Sequence, residues 1–228
     1  LWKSGILYGE LGRTKPIIMD EHLLRFNTDQ KFVCFDLETE HLNLATSRPW
    51  QFGFTVFNQH TVFETKWKNI LWRDLDISDG AAKVTHFNKS EYLRTAIDAE
   101  EALGIFDSYL YNPGYRLVGH NVLSFDVFQH NTWRKSLGKP SDFSYMDRVI
   151  DTNALAKAIS LMEQPDLGDF VSWQYKILNR RVARLKTKLS VVATNYGIPF
   201  DENKLHEAEE DVKLNAKVFN KQKFDIEI

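Results

Sequence analysis

Cysteine is almost missing: Cys34 is the one thiol in 228 residues. A single cysteine closes no internal disulfide and builds no cysteine zinc cluster, so a reducing compartment is the default. Long apolar runs are missing too. No stretch approaches the roughly 20 residues that span a bilayer, and no signal-peptide pattern is visible. The expectation is an intracellular protein, cytoplasmic or nucleoid-associated. Nor does one charge dominate: Lys and Arg number 29 against 31 Asp and Glu, a net charge of −2. A polyanionic partner would be met by a local basic patch rather than by a global field. Internal repeats and low-complexity tracts are absent. The first residue is Leu1 rather than Met, the start expected of a chain processed, trimmed or cut from a longer one.

What is there belongs to a globular protein. Hydrophobic residues make up 43%, with 16 Phe and 6 Trp, in a length that suits one sizeable α/β domain. Residues 1–30, with Gly5, Gly9, Gly12 and Pro16, read as an arm. Lys31–Phe35 is a β-favouring run. Trp50–Phe57 and Thr61–Trp67, separated by Asn58-Gln59-His60, carry a hairpin signature. Residues 70–97 read as irregular with short helical pieces. Asp98–Tyr111 has amphipathic spacing and stops at Asn112-Pro113-Gly114. Tyr115–Gly119 is a fourth strand and Met146–Ile150 a fifth. A helix is predicted over Ser124–Leu137, with Ser124 as its N-cap and Gly138 as its stop. Further helices are predicted over Asp151–Met162, Asp169–Lys188, Leu189–Tyr196 and Leu205–Lys221, with residues 222–228 left as a tail. An antiparallel start followed by alternating helix and strand predicts a mixed α/β sheet covered by helices.

The residues that carry chemistry are carboxylates. Asp36 and Glu38 follow the first strand run at i and i+2, so they share a strand face, about 6–7 Å apart at Cα. Two like charges there cost energy unless a cation sits between them. The plain alternative is a strand end running into an acidic loop. Asp126 falls in the first turn of a helix after Gly119-His120-Asn121, where the helix dipole alone would favour it. Asp211 follows His206-Glu207-Ala208-Glu209-Glu210 at the start of the last helix. This is not a zinc-protease motif, because Glu210 stands where the second His of H-E-x-x-H belongs; dipole compensation is again the plain reading. Asp151 is expected to cap the helix it begins.

Taken in order, these residues resemble the DEDD exonuclease superfamily, in its His-containing, DnaQ-like branch of proofreading-type 3′→5′ exonucleases. Asp36-Leu37-Glu38-Thr39 is similar to the first motif. His120-Asn121 through Phe125-Asp126 is similar to the second, and His206, Ala208 and Asp211 to the third. Trp50-Gln51-Phe52-Gly53, Ala81–His86, Ile150-Asp151-Thr152 with Leu155-Ala156, and Lys188-Leu189-Ser190 through Tyr196-Gly197-Ile198 resemble supporting segments. The resemblance spans about residues 31–221. It departs in three places. Glu40-His41 follows Thr39 where Thr-Gly is usual, one residue is extra between Asn121 and Phe125, and the segment at about 163–187 is longer than expected.

The resemblance implies an RNase H-like mixed five-stranded sheet with its first three strands antiparallel. It implies a metal-dependent exonuclease that releases nucleoside monophosphates from single-stranded 3′ ends, of DNA more than RNA. Phosphodiester hydrolysis needs charge neutralised on the attacking and leaving oxygens, which two divalent ions about 4 Å apart supply. Oxygen ligands suit two Mg²⁺, with Mn²⁺ as a substitute. By the resemblance Asp36 bridges the ions, Glu38 and Asp211 complete the tighter-bound one, and Asp126 reaches them directly or through water. His206 is the general base. Five residues along a helix turn about 140° away, so His206 is predicted on a mobile turn just before the regular helix and Asp211 within it.

For substrate, the resemblance points to Thr39 and Leu42 at the terminal nucleotide, Asn121 at the loop or sugar, and Phe125 beside it. His86 is either packed on the terminal base or a loop histidine. Lys176, Arg180, Arg181, Arg184, Lys186 and Lys188 form a basic run in the extra segment, read as a solvated helix face or as phosphate contacts. The partners implied are a single-stranded nucleic-acid 3′ end and a polymerase or repair protein docked on the extra segment or on residues 1–30. Two rival readings stand. One is a 3′→5′ exoribonuclease, since 2′-OH contacts come from loop geometry that the sequence does not fix. The other is a silent nucleic-acid-binding scaffold, which is expected to have lost a carboxylate.

Overall fold

The computed structural model describes residues 23–228. Its first three strands, β1 (Lys31–Thr39), β2 (Pro49–Phe57) and β3 (Val62–Leu71), form an antiparallel meander. Asn58 closes the β2–β3 turn, its Oδ1 accepting from His60 N and Thr61 N at 2.9 and 2.8 Å. The short side chain does here what a backbone carbonyl does in an ordinary turn. Helices α1 (Asp79–Val84) and α2 (Lys89–Thr95) lead to β4 (Ile97–Asp98), which runs parallel to the end of β3.

Asp98 caps α3 (Ala99–Leu110) by accepting from the amides of Glu100 and Glu101. β5 (Tyr115–Gly119) returns parallel to β1, and α4 (Asp126–Ser136) connects it to β6 (Val149–Asp151), parallel to β5. Helices α5 (Thr152–Leu161), α6 (Phe170–Asn179), α7 (Leu189–Asn195) and α8 (Ala208–Gln222) follow. The sheet order is β4-β3-β2-β1-β5-β6. This is the predicted mixed sheet, with six strands rather than five. The extra strand, β4, is two residues long and too short to leave a periodic signal.

Alternation along β1 divides the core. Phe32 faces α8, its ring 4.9 Å from Phe219 and 5.4 Å from Phe57. Cys34 lies on the same face, where Asn215 Nδ2 approaches its sulfur at 3.4 Å. Phe35 points the other way, 5.8 Å from Phe106 of α3, with Phe52 and Trp133 packed around the same ring. By the same period of two, Asp36 and Glu38 are delivered to the α8 face.

The structure redraws two predicted helices. α6 ends at Asn179, and Arg180 turns to φ −71° and ψ 121°. Residues 180–188 are loop, so the basic run is not one helix face; Leu185 continued the apolar spacing of Phe170, Trp173, Ile177 and Leu178 by coincidence. Ser124 caps nothing. Asn121, at φ 64°, opens a turn that absorbs the extra residue, and α4 starts at Asp126 with Phe125 in the cap position. At the other end of the chain, Ile226 and Ile228 are buried, and the Ile228 carbonyl accepts from Leu24 N at 2.7 Å. Residues 1–22 of the predicted arm lie outside the described residues.

Candidate active site

Asp36 and Glu38 from β1 and Asp211 from α8 bring carboxylate oxygens within 4.8 Å of one another. Two features of β2 bring α8 this close. Gly53 pairs with Asp36, and a Cβ there would lie 2.6 Å from the Ala208 carbonyl oxygen. Gln51 pairs with Glu38; its Oε1 accepts from Ala208 N at 3.2 Å while its Nε2 donates to Asn69 Oδ1 at 2.9 Å. Gln51 thus caps α8 from a neighbouring strand, since the helix's own cap residue, Glu207, makes no side-chain cap bond. Substituting Ala for Gly53 is expected to push the first turn of α8 outward and to cost about 1–3 kcal/mol. Urea unfolding measures that cost, and affinity for a divalent cation is expected to fall with it because Asp211 moves with the turn.

Asp126 completes the acidic group. It is 4% exposed, and its Oδ1 accepts from Leu37 N, between the two β1 carboxylates, at 2.9 Å. Asp211 Oδ2 accepts from His206 N at 3.1 Å, whereas its Oδ1 is buried without a hydrogen-bond partner. A buried acceptor left bare costs about 1–3 kcal/mol. Among the described residues no Lys or Arg pairs with any of these four carboxylates. Burial raises Asp36 well above the usual carboxylate range, and repulsion from Asp126, Glu38 and Asp211 adds to it. Glu38 rises through burial and through Asp211 and Asp126. Burial lifts Asp126 to about 7 against the pull of the Leu37 amide, and Asp211 to about 6. Crowded carboxylates with an unfilled buried oxygen and no basic partner form an oxygen-only donor set, which fits a hard divalent cation.

His206 sits two residues before α8 at φ 69°, outside the regular helix. Partial burial first, then the charges of His86 and Lys188, lower its pKa. The imidazole is therefore neutral, and able to accept a proton, over a wider range than a free histidine.

Asp151 does more than cap α5. Its carboxylate accepts from Asn153 N and Ala154 N on the helix and from Asn121 N and Leu123 N on the turn before Asp126, at 2.9–3.3 Å. Gln174 of α6 locks the same point, its Oε1 accepting from Asp151 N and its Nε2 donating to the Val149 carbonyl. Of these, only the helix cap had a sequence signal. Gln51 had none, because its place opposite Glu38 comes from the β1–β2 pairing across the loop at 40–48.

The predicted substrate residues are spread more widely. Thr39 is buried and its hydroxyl donates to the His41 carbonyl at 3.0 Å. Leu42 is 84% exposed. His86, at φ 53°, lines a cavity of about 260 Å³ with Trp50, Trp67, Tyr92 and Glu207. Phe125 is half-buried at the start of α4. Arg180 pairs with Glu163 and, with Arg181 and Lys157, lines a second cavity of about 390 Å³. Arg184, Lys186 and Lys188 are exposed on the same loop.

Solved structures of E. coli Exonuclease I share this fold. The complex with a dT13 oligonucleotide matches at a TM-score of 0.66 and 16% identity, over 84% of this chain and 40% of that one. The zinc-bound form of the complex with single-stranded DNA matches at 0.67 and 16% identity, over 84% and 40%. A product-bound structure matches at 0.65 and 16% identity, over 83% and 42%. The chain shares the fold of Exonuclease I. It spans about 40% of the length of that protein. No family model and no curated protein matches the sequence. Among the described residues no helix is long and apolar enough to cross a membrane.

Proposed function

We propose that this protein is a metal-dependent 3′→5′ exonuclease that hydrolyses phosphodiester bonds at single-stranded DNA ends and releases nucleoside monophosphates. One observation carries the reading: three carboxylates from two elements converge within 4.8 Å, with no basic partner, beside His206, whose amide bonds Asp211 and whose pKa is lowered. Asp36, Glu38 and Asp211 would hold Mg²⁺ or Mn²⁺, with Asp126 reaching the same site. Bound there, two ions would neutralise charge on the attacking and leaving oxygens. His206 takes the proton of the attacking water, and its place outside α8 lets the ring swing toward that water. The Leu37 amide and the Asp151-bound turn keep Asp126 aimed at Asp36. Leu42, exposed beyond β1, and Asn121 meet the terminal nucleotide, while Arg181, Arg184, Lys186 and Lys188 attract the phosphates behind it. Single-stranded DNA is favoured over RNA because the Exonuclease I structures hold such strands.

The test is digestion of 5′-labelled single-stranded DNA and RNA in Mg²⁺, in Mn²⁺ and in EDTA. A ladder shortening from the 3′ end with either metal, none in EDTA, and DNA cut faster than RNA is the expected result. RNA cut in preference would make the protein an exoribonuclease. Tight binding of both polymers without cleavage would overturn the assignment in favour of a scaffold.

A further inference from the structure

The loop at 180–188, between α6 and α7, is tied by side chains to the turn that carries Asp126. Thr187 Oγ1 donates to Asn153 Oδ1 at 2.6 Å, and Asn153 Nδ2 donates to Asn121 Oδ1 at 3.1 Å. Asn153 lies in the first turn of α5, where Asp151 fixes its backbone amide at 2.9 Å. The same Asp151 oxygen fixes the backbone of Asn121, which stands at φ 64°. Asn153 fixes the Asn121 amide with its Oδ1 toward α5, which leaves the Nδ2 donor turned to offer a substrate. Asn153 itself is uncharged, and it donates to and accepts from nothing in the acidic cluster. Its side chain does two geometric jobs: it sets which way round the Asn121 amide sits, and it anchors the basic loop at Thr187.

We infer that Asn153 is a positioning residue that presents the Asn121 Nδ2 donor to the terminal nucleotide and holds the 180–188 loop where it meets phosphates further along the strand. This rests on the nuclease assignment and deepens it. The loop turns at Ala183-Arg184, Arg184 standing at φ 63°, so its basic side chains are spread over both arms of that turn. Lys188, whose charge bears on His206, stands at its active-site end, and Arg181, lining the cavity with Lys157, at the other. A short substrate therefore uses the Asn121 half of the arrangement, and a long strand uses both halves.

Three variants separate the halves. Asn153→Asp keeps an acceptor for Thr187 but has no N–H for Asn121, so the Asn121 amide turns round. Thr187→Val releases only the loop, and Asn153→Ala loses both contacts. Each is assayed in Mg²⁺ on a long oligothymidylate strand and on the p-nitrophenyl ester of thymidine 5′-monophosphate, with melting temperatures alongside. Strand binding is measured separately by fluorescence anisotropy in EDTA. For Asn153→Asp, kcat is expected to fall about tenfold on both substrates. For Thr187→Val, KM and the anisotropy Kd for the long strand are expected to rise about fivefold, with hydrolysis of the ester unchanged. Asn153→Ala combines the two effects. If all three variants instead lower both activities in step with melting temperature, Asn153 is merely structural and the inference fails. Wild-type protein that cleaves neither substrate would overturn the nuclease assignment itself, an outcome distinct from that failure.

Discussion

Replacing Asp36 with Asn is expected to abolish hydrolysis and, in the same molecule, to stabilise the fold. Asn keeps the shape of Asp36 but removes the charge on which a metal ion between β1 and α8 would depend. The loss in kcat is expected to be about 10³-fold or more, since metal stabilisation of transition-state charge is worth several kcal/mol. The gain in stability has the same origin. Asp36 is forced against Asp126, Glu38 and Asp211 in a buried setting. Relieving one such charge is expected to add about 1–3 kcal/mol in EDTA, as happens when functional sites carry strain that folding alone would not select. For a chain of this length that is a rise of about 2–12 °C in Tm. Calorimetry in EDTA beside a steady-state assay reads both quantities. A variant that loses activity and stability together would mean that Asp36 supports the fold rather than the chemistry.

In the absence of divalent metal, stability is expected to fall as pH rises from about 4 to 7, because the raised carboxylates, Asp151 among them, outnumber His120, His130 and His206, whose lowered pKa values act in the opposite direction. The sign follows from which state holds the protons. In the unfolded chain carboxylates ionise near their ordinary values of about 4. In the folded chain Asp211 keeps its proton to about 6 and Asp126 to about 7, and Asp36 and Glu38 are raised as well. Between those limits the folded state binds more protons, so each retained proton costs about 1.4 kcal/mol of stability per pH unit. Mg²⁺ is expected to reverse the trend, because it binds the ionised group of carboxylates. At a hundredfold excess over Kd it restores about 2.7 kcal/mol. Melting curves from pH 4.5 to 8.5, in EDTA and in Mg²⁺, test both halves. Stability that climbs with pH in EDTA would remove the like-charge crowding from the account.

The sequence shows most clearly what is local. The β2–β3 hairpin was legible because Asn58-Gln59-His60 interrupts two β-rich runs, and α3 because a clean apolar stripe stops at Asn112-Pro113-Gly114. Asp36 and Glu38 were legible as neighbours because strand geometry alone puts i and i+2 on one face. Legibility failed where tertiary contact overrode pattern. Leu185 fell into the periodicity of α6, yet the helix stops at Asn179, where the loop turns to bond Asn153 through Thr187. Ser124 looked like a cap, but Asp151, from another strand, satisfies the amides of that turn and leaves Ser124 no role. The roles of Gln51, Asn153 and Gln174 depend on partners dozens of residues away, and nothing in the local sequence marks them.

Asp211 reaches the site only with α8, the last helix, whereas Asp36, Glu38 and Asp126 belong to β1 and the β5–α4 step. Contacts between segments so far apart in sequence form late, after the nearer pairings have repaid their loop-closure entropy. A chain that still lacks α8 thus holds every described strand of the sheet but an incomplete ligand set. The acidic cluster is therefore complete only when the final helix seats against Gly53.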